Sequence, residues 1–270
     1  MYKIYCLLLL FISFSLKAQT PYGNNPQHGN HLDLNGISMY YEIYGEGPPL
    51  LLLHGNGGSS AGHAAKIEFF DDYYKVFVVD LRGHGNTTGA EGELLTYLQM
   101  SEDVNGFMEA MGIENANIWG QSDGGILGLL LAIHHPDKVG KLAVFGANIS
   151  PGPDAIQEEL HRWVQETLAA TQDEKTKQLL SLLATQPNIE EEELKQIKSP
   201  VLVMTGDRDA IKLEHSLRIF RNIPRSNLFV MPGATHFGSY ERPELFNSVL
   251  LHFFQEHFIM PNTIDKLIPQ

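Results

Sequence analysis

The sequence contains a single cysteine, Cys6, among 270 residues. Cys6 lies early in an apolar N-terminal run that we expect to be removed, so the mature chain would contain no cysteine. Such a chain cannot form a disulfide, use a thiol as nucleophile or bind a metal through a cysteine cluster. The near absence of cysteine therefore excludes these three kinds of chemistry.

Basic residues are also few. The chain has 19 Lys and Arg against 32 Asp and Glu, which gives a net charge of −13. Removal of the N-terminal run takes away Lys3 and Lys17 and no acidic residue, so the charge of the mature chain would change by two, to −15. An acidic surface repels nucleic acids and anionic lipids, so we expect neither as a partner. The expected partner is a small-molecule substrate.

No apolar run is long enough to predict a membrane anchor. The N-terminal run covers residues 4–16, whereas a transmembrane helix needs about 20 apolar residues. Lys3 precedes the run and Lys17-Ala18 follows it, which is typical of a cleaved secretory signal peptide. We therefore expect a secreted or periplasmic protein. The predicted organisation is a signal peptide at 1–19, a loose lead-in at 20–30 and a catalytic domain at 31–270.

Eight short segments have the composition of buried strands. They are four to eight residues long, rich in leucine, β-branched and aromatic side chains, and bounded by turn residues. The first two flank Asn35-Gly36, a strong signal for a two-residue hairpin. The segments are residues 31–34, 37–44, 49–53, 76–80, 116–119, 142–145, 201–204 and 228–231.

Helical patterns alternate with these segments. Apolar residues recur at helical spacing within 95–111 and 245–254, and residues 125–134 are apolar almost throughout, as in a buried helix. Strands that alternate with helices favour parallel βαβ units. The sequence therefore predicts the α/β class, with one mostly parallel sheet, helices on both faces and the opening hairpin as an antiparallel edge.

The alternation stops at about residues 150–199, which contain helical patterns and no strand-like run. Apolar residues repeat at helical spacing from Ile156 to Leu168 and again at 179–183, and a polar third helix is expected at 190–198. About fifty residues are too many for an ordinary connection. We predict a small helical cap over the sheet, with Trp163 and its neighbours packed mainly between cap and sheet rather than against substrate.

The pentapeptide Gly120-Gln121-Ser122-Asp123-Gly124 matches the pattern G-x-S-x-G. It follows a predicted strand and precedes a predicted buried helix. A sharp strand-to-helix turn of this kind presents a serine hydroxyl above the sheet and leaves no room for side chains at the two glycines. The context favours Ser122 as a nucleophile over a plain glycine turn.

A serine hydroxyl needs an adjacent base, and the base needs a carboxylate on its other ring nitrogen. Among the 12 histidines, His236 fits best because it follows the last predicted strand through a short glycine loop. The segment Gly206-Asp207-Arg208-Asp209 follows the preceding strand, and such sheets place their sites at the carboxyl ends of strands. We predict His236 as general base and Asp209 as the acid that orients it. Asp207 is the alternative acid, but we expect it to hold the turn instead.

A glycine-rich loop, His54-Gly55-Asn56-Gly57-Gly58, follows the third predicted strand. An oxyanion that develops during acyl transfer needs two preorganised N–H donors. The backbone N–H groups of Asp123 and Asn56 are the predicted pair, because the glycines allow the loop to approach the serine closely. A flexible connection without a catalytic role is the alternative.

These motifs together resemble the α/β-hydrolase superfamily over residues 32–258. The matching motifs are His54-Gly55, residues 80–85 (Asp-Leu-Arg-Gly-His-Gly), the Ser122 turn, residues 206–209 and residues 233–237. The resemblance implies that Ser122, Asp209 and His236 are the nucleophile, acid and base, that Arg82 and His84 are structural, and that no metal or organic cofactor takes part. Serine at position 122 disfavours the dehalogenase and epoxide hydrolase members, which use an aspartate nucleophile.

Asp123 is an unusual residue beside the nucleophile. Its carboxylate could simply favour the start of a helix through the helix dipole, which is worth about 0.3–1 kcal/mol. It could instead face the pocket and bind a substrate amine, and similar Ser-Asp-Gly-Gly turns occur in biphenyl-hydrolase-like members of the superfamily.

The predicted function is serine hydrolysis of a carboxylic ester or lactone through an acyl-enzyme. An aminopeptidase or amidase that uses the same triad is the first alternative. A non-catalytic ligand-binding protein with the same fold is the second, and a carbon–carbon bond hydrolase or a perhydrolase also fits the same residues.

Overall fold

The computed structural model describes residues 20–268, so the predicted signal peptide lies outside the described residues and stays a prediction. Within 20–268, no helix combines the length and the apolar character that crossing a bilayer requires.

Eight strands form one sheet. They are β1 (Gly29–Leu34), β2 (Ile37–Tyr44), β3 (Pro49–Leu53), β4 (Lys75–Val79), β5 (Ala116–Gln121), β6 (Val139–Phe145), β7 (Val201–Arg208) and β8 (Ser226–Thr235). Their order across the sheet is β1-β2-β4-β3-β5-β6-β7-β8. The strands from β3 to β8 pair in parallel with their neighbours, whereas β2 pairs antiparallel with both β1 and β4. The predicted sheet and its antiparallel edge are confirmed.

Ten α-helices accompany the sheet in the described part of the chain. They are α1 (Ala64–Phe70), α2 (Tyr97–Ala110), α3 (Asp123–His134), α4 (Glu158–Ala170), α5 (Glu174–Thr185), α6 (Glu191–Leu194), α7 (Leu213–Asn222), α8 (Gly238–Glu241), α9 (Pro243–Gln255) and α10 (Thr263–Leu267). Helices α2 and α9 confirm the segments predicted from apolar spacing, and α3 confirms the segment predicted from its apolar composition. One apolar residue of the spaced segment 95–111, Leu98, is 54% exposed at the start of α2 and does not face the core.

The core lies on both faces of the sheet because alternate strand side chains point to opposite faces. On β3, Leu51 and Leu53 pack in a cluster with α2 and α3, while Leu50 and Leu52 pack in a second cluster with α1 and α9. A strand buried on both faces requires the continuous apolar run that the sequence shows there. Both layers therefore converge on the central strands that end at the site.

The β1–β2 hairpin turns at Asn35 and Gly36, whose φ angles are +47° and +79°. Positive φ at both central residues is the geometry of the Asn-Gly turn. The segment before the hairpin is not loose, contrary to our prediction for 20–30. The buried carboxylate of Glu42 accepts hydrogen bonds from the N–H groups of Gly23 at 2.9 Å and Asn25 at 2.8 Å. A buried carboxylate needs such donors, and this requirement fixes the lead-in against β2.

Helices α4, α5 and α6 lie between β6 and β7 in the chain. The segment that enters α4 is joined to the loop after β7 by an antiparallel bridge between Ile156 and Ile211. The Gln157 N–H also donates to the Ala210 carbonyl at 2.9 Å. These contacts fix the start of α4 beside the loop that carries Asp209.

Lys66 is a buried amine that the sequence did not reveal. It lies on α1 with 2% of its surface exposed, and its Nζ is 5.0 Å from the centre of the Trp119 ring and 5.5 Å from that of Phe246. Burial lowers the pKa of this amine to about 7, and no described carboxylate opposes the shift. Attraction between the ammonium group and the aromatic faces offsets part of the hydration free energy that the cation loses on burial.

Replacing Lys66 by methionine should stabilise the fold near neutral pH. The unfolded amine has a pKa of about 10.5, so between pH 7 and 10 the unfolded chain binds more protons and the native stability of the wild type rises with pH. We expect Lys66→Met to raise the free energy of unfolding by about 1–3 kcal/mol at pH 6.5, and the gain to shrink toward pH 9.5. Urea unfolding at several pH values measures this. The exposed Lys198, changed to Met, is the control, and a gain that is independent of pH would contradict the argument.

Candidate active site

Ser122 lies between the end of β5 and the start of α3 in a strained backbone conformation. Its φ of +53° and ψ of −118° fall where side-chain-bearing residues rarely lie, at a cost of about 1–3 kcal/mol. The Ser122 N–H donates to the Phe145 carbonyl at 2.8 Å, and its own carbonyl accepts from Gly125 N–H at 2.8 Å. These bonds from a neighbouring strand and from the helix hold the turn in place.

The glycines on either side of Ser122 are required by close packing. A Cβ atom on Gly120 would overlap the carbonyl of Gly124, and one on Gly124 would overlap the carbonyl of Leu53 in β3. The turn therefore lies directly against the strand that leads to the glycine-rich loop. This is the steric reason for the pattern recognised in the sequence.

His236 and Asp209 come from adjacent strand ends and are bonded to each other. His236 Nδ1 lies 2.6 Å from Asp209 Oδ1. Asp209 is buried, and it also accepts from the N–H groups of Ile211 at 2.9 Å and Gly206 at 3.3 Å. Burial alone would raise the pKa of the Asp209 carboxyl group, but the hydrogen bond and charge of His236, with these N–H groups, lower it below its ordinary value. Asp209 therefore stays ionised beside the imidazole.

Asp207, the alternative acid, has a different role. Its side chain is exposed, and its Oδ1 accepts a hydrogen bond from Gly233 N–H at 2.7 Å. It thus joins the end of β7 to the end of β8, where His236 follows. The two aspartates of this segment have separate partners, and only Asp209 contacts His236.

Ser122 and His236 line the same cavity. Within residues 20–268, the structure records no direct hydrogen bond between the two side chains. Catalytic hydrogen bonds are often long without substrate and shorten only in the complex. The structure therefore places the three predicted residues at one edge of the sheet, with the acid and base already paired.

Two residues that position His236 were not identified from the sequence. Gln121 Nε2 donates to the His236 carbonyl at 3.2 Å, and Gln121 Oε1 accepts from Ser239 Oγ at 2.7 Å, so the residue before the serine fixes the histidine loop. A Cβ atom on Gly146 would lie 2.7 Å from His236 Nδ1. Gln121 occupies a variable position of the G-x-S-x-G pattern and Gly146 belongs to no motif, so only their places at the ends of β5 and β6 reveal the role.

The glycine-rich loop approaches the serine as predicted from its glycines. A Cβ atom on Gly55 would lie 3.0 Å from Ser122 Cβ and 3.7 Å from Ser122 Oγ. The backbone N–H of Asn56 forms no hydrogen bond to another of the residues 20–268, and the backbone N–H of Asp123 interacts with its own carboxylate. The loop and the helix start that carry these two N–H groups lie beside Ser122.

The Asp123 side chain does not line the cavity. It is 1% exposed, and its two oxygens accept from Tyr97 Oη at 2.8 Å and Asn56 Nδ2 at 3.0 Å. Burial raises the pKa of this carboxyl group to about 6, although these two hydrogen bonds oppose the shift. The idea that Asp123 faces the pocket to bind an amine is therefore wrong for this structure, because both oxygens are already engaged inside the protein.

The cavity has a volume of about 600 Å³ and an apolar lining. No Asp, Glu, Lys or Arg side chain of the described residues lines it, and His236 is its only titratable member apart from Tyr240. Trp163 on α4 lines the cavity with 53% of its surface exposed, so our expectation that it packs mainly between cap and sheet is wrong. Its apolar lining includes Ile156, Leu160, Trp163, Val164, Leu183, Ile211 and Phe237.

Three other buried histidines, His54, His84 and His215, have backbone partners. His54 Nε2 accepts from Leu81 N–H at 3.1 Å, and its Nδ1 lies 2.8 Å from the Gly55 carbonyl. Burial lowers the pKa of His54 to about 4, so the ring is neutral. Arg82 forms a two-point ion pair with the buried Asp103, at 2.6 and 3.0 Å. Among the described residues, no three His, Cys, Asp or Glu side chains are grouped as a metal site would require.

A family model for the alpha/beta hydrolase fold matches residues 48–165. RutD of Agrobacterium fabrum, a proposed carbamate hydrolase, is 29% identical over 257 residues, which are 80% of this chain and 97% of that protein. A 2-hydroxy-6-oxo-6-phenylhexa-2,4-dienoate hydrolase of Comamonas testosteroni is 26% identical, over 83% of this chain and 93% of that protein.

The fold also has close structural neighbours. The enol-lactonase of Burkholderia xenovorans LB400 superposes with a TM-score of 0.71 at 22% identity, over 84% of this chain and all of that one. At this identity, the neighbour supports the fold alone. Taken with the parallel sheet and the serine turn between β5 and α3, the comparisons show that this chain has the α/β-hydrolase fold, has biphenyl-hydrolase-like relatives and is a hydrolase.

Proposed function

We propose that the protein is a serine hydrolase that acts on uncharged carboxylic esters or lactones. The observation that carries this proposal is the 2.6 Å pair of His236 and Asp209 in a cavity that it shares with the strained Ser122. A base oriented by a carboxylate beside a serine is the arrangement that activates a hydroxyl nucleophile.

The proposed reaction begins when His236 takes the proton of Ser122 as Oγ attacks the substrate carbonyl. The N–H groups of Asn56 and Asp123 stabilise the resulting oxyanion, and one such donor is worth about 3–4 kcal/mol. His236 then protonates the leaving group, and an acyl-enzyme remains. Water then attacks the acyl-enzyme while His236 takes its proton. His236 returns that proton to Ser122 Oγ as the carboxylic acid product leaves, and Ser122 is restored.

The lining of the cavity argues for an uncharged substrate. The Comamonas relative is named for a dienoate, which carries a carboxylate. Burying an ionised group without a partner costs several kcal/mol, and no Lys or Arg of the described residues lines this cavity. The apolar walls therefore support a neutral ester or lactone over an anionic dienoate.

The aminopeptidase alternative has less support. Recognition of a substrate amine would need a free acceptor of negative charge near Ser122. Asp123 is the nearest carboxylate in sequence, and both its oxygens are occupied by Tyr97 and Asn56. A ligand-binding protein without catalysis would have no need for a strained serine beside an oriented base, so the strain favours an enzyme.

The catalytic roles can be tested by a matched pair of aspartate variants. We expect Ser122→Ala and Asp209→Asn each to lower kcat by at least about 10³-fold on a neutral ester. Asp207→Asn should change kcat less than about threefold, because Asp207 bonds to Gly233 and not to His236. Steady-state kinetics on purified, folded variants measures this.

Labelling with a fluorophosphonate probe separates an active serine from an inert one. The wild type should be labelled at Ser122, and Ser122→Ala should not. Near-native turnover by Ser122→Ala would contradict the mechanism, and the absence of both labelling and turnover in the wild type would favour the ligand-binding alternative.

Substrate charge can be tested with three esters of equal acyl length. Aryl esters of butyrate, succinate and 4-aminobutyrate differ at the acyl end in being neutral, anionic or cationic. We expect kcat/KM to fall by about 100-fold for both charged esters, which corresponds to about 2.7 kcal/mol for a poorly compensated charge. Preference for the succinate ester would favour a dienoate-like substrate, and preference for the aminobutyrate ester would favour an aminopeptidase.

We further propose export of the protein through its N-terminal segment. Expression of the full chain in a bacterium should give an exported protein that begins at Gln19 or Thr20, as measured by intact mass. Leu9→Arg, which interrupts the apolar run, should leave an unprocessed chain in the cytosol. Recovery of an unprocessed wild-type chain in the cytosol would contradict the proposal.

A further inference from the structure

The Asp123 carboxylate connects three segments that meet at the serine. It follows the nucleophile directly, and its oxygens bind Tyr97 at the start of α2 and Asn56 in the glycine-rich loop. The Asn56 amide also lies 3.4 Å from the Leu179 carbonyl of α5. One buried side chain therefore links the loop, the serine turn and, through Asn56, a helix of the predicted cap.

The two residues linked by this carboxylate are the same two whose N–H groups we propose as the oxyanion donors. Asn56 and Asp123 lie 67 positions apart in the chain, and the 3.0 Å bond between their side chains is a direct connection between them. A hydrogen bond of this kind holds its donor and acceptor atoms within a few tenths of an ångström and so restrains how far apart the two backbones can lie. Oxyanion stabilisation depends on such preorganised geometry.

The glycine-rich loop needs contacts with other segments to fix its conformation, because its glycines constrain its backbone little. Gly55, Gly57 and Gly58 surround Asn56, and Gly57 has a φ of +68°. Glycine has the greatest backbone freedom, so a loop of this composition loses much entropy when it is ordered. The Asn56 side chain is the member of the loop that reaches the protein interior on the Asp123 side.

We propose that the Asp123 side chain is a positioning group, which sets the Asn56 and Asp123 N–H groups for the oxyanion through its hydrogen bond to Asn56. This inference rests on the proposed serine hydrolase function. The carboxylate touches no substrate, since it does not line the cavity. Burying a carboxylate is costly, and two donors inside the protein offset that cost only when the loop is in place.

The role assigned to Asp123 predicts a specific kinetic signature. Asn56→Ala and Asp123→Asn each keep the backbone N–H but weaken the link between them. We expect each to lower kcat by about 10–100-fold with KM changed less than about threefold, because the interaction matters in the transition state. The double variant should be no more than about threefold slower than the slower single variant, since both remove the same link.

Asn148 provides a matched control. It also lines the cavity, but its amide donates to the Ser150 carbonyl at 2.8 Å and has no bond to Asp123. The effects of Asn148→Ala and Asp123→Asn should therefore multiply in the double variant.

A boronic acid that forms a tetrahedral adduct with Ser122 provides a second measurement. Its affinity should fall in Asn56→Ala and in Asp123→Asn by the same factor as kcat. Thermal unfolding checks that each variant is folded.

Several results would overturn the inference. Independent, multiplicative losses for Asn56→Ala and Asp123→Asn would show that the two side chains do not act through each other. A rise in KM confined to cationic esters would show that Asp123 binds substrate. Turnover that survives Ser122→Ala would overturn the proposed function and this inference together, whereas Ser122-dependent turnover with multiplicative losses would overturn only the inference.

Discussion

The backbone conformation of Ser122 is the constraint on which the site depends. A positive φ at a residue with a side chain is unfavourable, so it persists only where the surroundings force it. Here the forcing elements are a central strand, a buried helix and two glycines that let them approach. The strain turns the serine hydroxyl out of the sheet and toward the cavity, and the apolar core on both faces of the sheet offsets its cost.

The polar groups around this turn follow a common rule. Each buried charge near the site has partners that come from a different segment of the chain, as Asp209 has in His236 and Asp123 has in Tyr97 and Asn56. Burial makes an unpaired group expensive, so these bonds fix segments that the backbone alone would leave free. Lys66 is the exception among these buried charges, because it contacts aromatic faces and no carboxylate of the described residues.

Much of the fold could be predicted because its causes are local in the sequence. Strands buried on both faces require continuous apolar runs, and the Asn35-Gly36 turn requires residues that tolerate positive φ. The motif residues of the site were also visible, since their roles depend on strand ends. The predictions that failed concern residues whose partners lie far away in the sequence. The lead-in was expected to be loose because nothing in its composition shows that the buried Glu42 would bind it.

In the site as well, features with local causes were predicted from the sequence, and features that depend on distant residues were not. Gln121 and Gly146 position His236 from neighbouring strands, and no spacing rule connects them to a residue so far along the chain. Trp163 has the helical spacing of a core residue, yet α4 presents it to the cavity. Periodicity tells which residues share a helix face but not what that face meets.

No charged side chain lines the described cavity, and this absence distinguishes between two substrate classes, anionic and neutral, that α/β-hydrolases bind with similar catalytic residues. An anionic substrate must be matched by a cation on the wall, and a neutral one is bound by apolar contact and by its carbonyl alone. In this protein the carboxylates nearest the serine, on Asp209 and Asp123, are turned inward, where they bind the proposed base and the Asn56 side chain. The walls are left to Ile156, Leu160 and Trp163. Under the proposed mechanism, polar groups therefore orient the reacting atoms, and substrate choice depends on shape and apolar area, which the segment between β6 and β7 largely supplies.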